Sequence, residues 1–178
     1  MTCSRFGAVL LSAVLTFSLV AVPDAGRAAE KESRPFARVY LALRGCTSCA
    51  HCRTAIRQMA QSSSDGGEAR VSTDAVEVRY TTPRPVPLRA VIRRLAENRL
   101  HDLSLVDVLF EAQGTIASGP DGAAVFTLRG TNQSFPVSLD SSLHRSAGGA
   151  PVRLTALVEG WREKGDLRLV ARELTDGV

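Results

Sequence analysis

The sequence predicts an α+β protein in two parts: two helices interleaved with four strands, then strands alone. Three observations carry this. Apolar residues recur at spacings of three and four in only two segments, around residues 52–59 and 88–95. Short alternating or apolar-dense runs surround those segments, and past Glu111 no helical period survives. Turn-forming Gly, Pro, Asn and Asp then punctuate the chain at short intervals, as in a small barrel or meander. The 178 residues suffice for one medium domain or two small ones. With 44% apolar and 22% charged residues, the chain belongs among core-forming proteins. The net charge of +4 permits contact with acidic surfaces but is too small and scattered to argue for nucleic acid.

At the N-terminus a short polar start with Arg5 precedes residues 6–22, which are apolar and uncharged; Pro23 and Gly26 break the run before Ala28 and Ala29. This is the order of a secretory signal peptide. Residues 1–28 are accordingly assigned to a cleaved signal, which makes the mature chain exported and periplasmic, with no membrane association afterwards. The run is at the short end for a membrane span. Cys3 precedes it and is lost with it. Residues 29–36, mostly charged and polar, form a linker.

Val39, Leu41 and Leu43 alternate with other residues and predict a strand. Cys52, Ala55, Ile56 and Met59 share one face of a helix, closed by the Ser- and Gly-rich residues 61–67. Residues 71–80 alternate again, with Val76, Val78 and Tyr80 on one face and room for two strands about Thr73 and Asp74. A proline-rich loop, residues 81–87, leads to Leu88, Val91, Ile92 and Leu95 at helical spacing, opposite Arg89, Arg93, Arg94 and Glu97. Pro87 suits the first turn of that helix. Residues 103–110 are dense in apolar side chains and predict a strand. The order strand, helix, strand, strand, helix, strand is the split βαβ, or ferredoxin-like, arrangement, assigned to residues 37–110. Within residues 111–178, five strands are expected at 114–118, 123–128, 135–139, 152–158 and 167–172, with a longer excursion at 141–150.

The chemistry concentrates in residues 45–52, Gly-Cys-Thr-Ser-Cys-Ala-His-Cys. Cys46, Cys49 and Cys52 are separated by two residues each, on a turn from strand to helix. A thiolate is both ligand and nucleophile, and the helix N-terminus favours the ionised form. Three cysteines within seven residues close only a tiny loop and cannot staple a fold. Two thiolates bind Cu(I) or Hg(II) linearly and a third permits trigonal coordination. Tetrahedral Zn(II) needs a fourth ligand, for which His51 or His101 would be required. Haem attachment is excluded, because Arg53 rather than His follows Cys52, and an iron–sulfur cluster lacks its fourth cysteine. Thiol–disulfide exchange remains open as an alternative. No catalytic constellation appears: Ser142 and His144 have neither a nucleophile elbow nor a paired acid. Asp102, Asp107 and Glu111 read as ordinary surface or strand-edge acids.

On these residues the stretch from Val39 to about Val108 resembles the heavy-metal-associated domain of copper chaperones, metal-transporting ATPases and periplasmic mercury-binding proteins. The carriers are Cys49-Ala50-His51-Cys52, Ile56 one turn later, and the stretch VEVRYTTPRPVPLRAVIRRLAEN. Relative to the family's Gly-Met-x-Cys-x-x-Cys, Thr47 occupies the usual Met position and Cys46 falls where the Gly would be. The resemblance implies a metal site at Cys49 and Cys52 supported by Cys46, Cu(I) as the first cargo with Hg(II) or Zn(II) as alternatives, and a metal-donor or metal-acceptor protein as partner. Residues from about Ala112 to Leu174 resemble a small OB-fold, carried by GTIASGPDGAAVFTLRG, FPVSL, VRLTALVEGW and LRLVARELT. The sequence therefore predicts a ferredoxin-like βαββαβ domain, residues 37–110, followed by an OB-like β-barrel, residues 111–178. The function expected is non-enzymatic capture and transfer of a soft metal. The alternative is a thiol–disulfide or adaptor protein whose barrel binds a protein partner.

Overall fold

The computed structural model describes residues 34–178 except 46, 99, 101, 120, 121, 142, 144–148, 164 and 178. The signal assigned to residues 1–28 and most of the linker lie outside the described residues, as do Cys46, His101, Ser142 and His144. The described residues form strand β1 (Ala37–Arg44), helix α1 (Ala50–Ser63), β2 (Glu68–Val71), β3 (Ala75–Tyr80), helix α2 (Leu88–Ala96) and β4 (Ser104–Ser118). Four strands follow: β5 (Ala124–Leu128), β6 (Ser134–Ser138), β7 (Pro151–Glu159) and β8 (Arg168–Asp176).

Both helices form where the apolar spacing places them. In α2, Leu88, Val91, Ile92 and Leu95 are all buried, a stripe whose burial stabilises by about 1.5–3 kcal/mol per side chain. In α1, Ile56 and Ala60 are buried, and Met59 packs against the same core. Along β1, Ala37, Val39, Leu41 and Leu43 are buried while Arg38, Tyr40 and Ala42 alternate with them on the outer face.

The two-module architecture expected from the sequence does not form. There is no ferredoxin-like βαββαβ domain followed by a separate OB-like barrel; the molecule is mostly β and its strands belong to one sheet. The sheet runs β2-β3-β1-β4-β5-β6-β8-β7, and β7 returns to pair with β4, which closes β4 to β8 into a five-stranded barrel. The cause lies in β4. Residues 103–110 and 114–118, expected as two strands, are one strand of 15 residues, because burial alternates without a break from Val108 to Ile116, across the gap between the two expected runs. Its first half pairs with β1, its second with β5, and Leu109 to Ala112 are paired on both edges, to β1 and to β7. A strand shared this way merges the two cores. Val39 of β1 and Ile92 of α2 belong to the same buried cluster as Phe126 and Leu154 of the barrel strands.

Candidate functional site

The cysteine loop leaves β1 through a β-bulge. Ala42 pairs with Asp107 but Leu43 with Leu105, so Val106 of β4 has no opposite residue. Its carbonyl accepts instead from Arg162 Nη2, at 2.6 Å. Gly45 then turns the chain with φ of +122°. A Cβ on Gly45 would lie 1.6 Å from the carbonyl oxygen of Asp102, so no other residue fits. On the other side of the loop, Thr47 is buried, donating its hydroxyl to the carbonyl of Thr73 in the turn between β2 and β3. The N–H of Leu43 donates to the carbonyl of Asp74 in that same turn, at 2.7 Å. The loop is thus held between the β2–β3 turn and the turn that precedes β4.

Cys49 caps α1. Its backbone is extended, with φ −76° and ψ 142°, and its Sγ accepts the backbone N–H of Cys52 at 3.1 Å. A thiol here takes the role usually played by a Ser or Asp oxygen. Its carbonyl accepts the N–H of Arg53 at 3.0 Å, the first helical bond. The first turn of α1 holds no acidic residue, so no carboxylate of that turn competes for the positive end of the helix, an arrangement that stabilises a thiolate. Cys49 and Cys52 lie one turn apart and both are half-buried, reachable from solvent yet fixed by backbone. His51 is exposed. Among the described residues no three His, Cys, Asp or Glu side chains gather as a metal-holding group, and Cys46 lies outside those residues. A thiol pair suits a soft ion bound linearly; the fourth ligand of a zinc site is not assembled among the described residues.

The chain matches no protein-family model, no curated protein and no solved structure.

Elsewhere the structure revises the reading of one acid. Glu111, expected as an ordinary surface or strand-edge carboxylate, is half-buried between two arginines. Arg153 donates to it at 2.7 Å and Arg38 Nε at 3.0 Å, with Arg38 Nη2 also on the same oxygen as Nε. Burial alone would raise its pKa, but the hydrogen bonds and charges of Arg38 and Arg153 outweigh that and hold the carboxyl below the ordinary carboxylate range. Arg153 also donates from both terminal nitrogens to the carbonyl of Pro35, at 3.1 Å each, which ties the start of the described chain to the barrel. Phe126 and Phe135 are buried, the latter 5.5 Å from Phe110 between ring centroids. Trp161 is half-buried beneath the guanidinium of Arg162, 4.3 Å from the ring centroid. Sequence reasoning named Thr47 only by its place in the motif and missed its anchoring bond; a polar residue where an apolar one is usual was the available signal.

Proposed function

We propose that the protein captures a soft metal ion between Cys49 and Cys52, with Cys46 as a third ligand, and passes it on by thiolate exchange. The cargo read from this donor set is Cu(I) first, with Hg(II) or Zn(II) as alternatives, and the counterpart is a metal-donor or metal-acceptor protein. The observation that carries the reading is the cap of α1: a thiol pair one turn apart, with Cys49 Sγ on the N–H of Cys52. This cap stabilises the charge a thiolate must keep when its metal leaves, and partial exposure gives an incoming thiolate access. Exchange forms one metal–sulfur bond and breaks another with no change of oxidation state; the incoming thiol gives up its proton and the departing thiolate can take one, so no oxidant is needed.

Anaerobic titration of the reduced protein with Cu(I), Hg(II) and Zn(II) against competing chelators tests this. Tight one-to-one binding of a soft ion, lost in Cys49→Ser and weakened in Cys46→Ser, is the expected result. Failure to outcompete weak chelators would sink it and pass the loop to the thiol–disulfide alternative, which a measured reduction potential would then place.

A further inference from the structure

The barrel closes loosely at one seam. Among the described residues β6 pairs with β8 only at Val137 and Ser138, so Ser134, Phe135 and Pro136 of β6 are unpaired toward β8. A cavity of about 630 Å³ opens there, between this end of β6, the start of α2 and Leu167 just before β8. That volume lies within the range of small-molecule sites, about 300–1,000 Å³.

The walls of the cavity are apolar and fixed. Val86, Leu88, Phe135 and Leu167 line it, each at most 8% exposed. Gln133 also lines it, but its amide is spent on the backbone of Val86: Oε1 accepts the N–H at 2.7 Å and Nε2 donates to the carbonyl at 2.8 Å. The hydroxyl of Ser134 is paired with that of Thr127 at 3.0 Å. What these walls offer a ligand is apolar contact.

Charge is confined to the mouth. Arg89 and Arg93 of α2, one turn apart, line the cavity and are exposed. Arg89 is held by the carbonyl of Gly165, to which it donates at 2.8 Å, and lies 3.7 Å from the fully exposed Asp166. Arg93 has no ion-pair or hydrogen-bond partner among the described residues. Two cations against one acid leave one positive charge. The first turn of α2 carries neither a capping side chain nor an acid, so its positive end adds to the same field. An adjoining cavity of about 540 Å³ shares Arg89, Arg93 and Leu167 but also contains Glu97 and Glu163, which disfavour an anion. A monoanion held by the two arginines therefore extends its apolar part into the first cavity.

We propose that this cavity binds a single-chain monocarboxylate of the fatty-acid class, its chain against Leu88, Phe135 and Leu167 and its carboxylate at Arg89 and Arg93. Charge-assisted hydrogen bonds from the guanidinium groups fix the head, and burial of methylenes supplies the affinity. The site uses no thiol, so it stands or falls independently of metal binding.

Decanoate below its micelle-forming concentration serves as the probe, followed by calorimetry and by backbone amide shifts in nuclear magnetic resonance. The expected result is one-to-one binding with shifts at residues 86–93, 133–136 and 166–167. Affinity should rise roughly three- to fourfold for each methylene from hexanoate to decanoate. Decanol, which lacks the charge, and the change Arg93→Gln should each weaken binding roughly fivefold or more. Arg93 is exposed, so this change leaves the core intact. Ala90→Trp, at an exposed position lining the cavity, should block entry. Arg70→Gln, on a cation of β2 paired with Glu68, and Cys49→Ser with Cys52→Ser should each change affinity less than about twofold. The proposal is overturned if shifts map elsewhere, if affinity does not rise with chain length, or if Arg93→Gln leaves it unaltered. It is also overturned if decyltrimethylammonium binds as tightly as decanoate, or if a peptide with a free C-terminal leucine binds here and decanoate does not.

Discussion

Replacing Glu111 by Gln removes one charge at nearly constant volume from the point where β1, β4 and β7 meet. The side chain of Arg153 is 8% exposed and that of Glu111 16%, so this ion pair is largely dry. Removing one member of a buried pair costs about 3–5 kcal/mol, because the other charge is left uncompensated. Two features reduce that here. Arg153 keeps the carbonyl of Pro35, and Arg38, at 38% exposure, keeps Glu77 and is screened by water, so it adds little. A loss of about 2–3 kcal/mol is expected at neutral pH. Urea unfolding measures it as a lower midpoint at unchanged slope. Fluorescence of Trp161, which reports the barrel, and far-UV circular dichroism of the helices should fall together, since both parts share β4. Adding Arg153→Met should recover much of the loss, because an apolar side chain can replace the remaining charge.

The pH dependence fixes the sign. The folded-state pKa of Glu111 is depressed, so its contribution is fully present above the unfolded value, about 4.3, and is lost as pH falls through the folded value. The gap between the native protein and Glu111→Gln should therefore close in acid. A gap that persists unchanged from neutral pH to pH of about 2, or one below about 0.5 kcal/mol throughout, would refute the ion-pair account.

Gly45→Ala should destabilise by more than Gly122→Ala in the same urea assay. Both positions have positive φ, worth about 1–2 kcal/mol of strain, but Gly122 faces open space whereas a Cβ at Gly45 strikes the Asp102 carbonyl; equal losses would mean that the close approach is not real. Tyr80→Phe should be neutral or stabilising by up to about 1–2 kcal/mol, because the Tyr80 hydroxyl is buried without a hydrogen-bond partner among the described residues. Burial and the charge of Asp65 also push that phenol above its ordinary pKa, so it stays neutral. A loss above about 1 kcal/mol would reveal a partner on that oxygen.

The sequence by itself marked both helices and the cores of most strands, and where the thiols lie, although β2 (Glu68–Val71) starts before the run read at 71–80. Periodicity is a local property: the stripe at Leu88, Val91, Ile92 and Leu95 and the alternation at Val39, Leu41 and Leu43 need no knowledge of partners. The place of the thiols at the start of α1 was equally legible, since they fall on a strand-to-helix turn; that Cys49 itself caps the helix only the structure shows. What the tertiary structure decided was how the parts join. Alternation cannot distinguish two short strands from one long strand, so Ser104 to Ser118 read as two, and the division into separate modules followed from that reading. Only pairing across distance shows β4 bonded to β1, β5 and β7. Glu111 and Arg153 stand 42 residues apart, and no local pattern marks an acid that its neighbours will bury. The anchoring of Thr47 on Thr73, 26 residues away, is hidden for the same reason. Local chemistry made the site; long-range strand pairing set the frame that holds it.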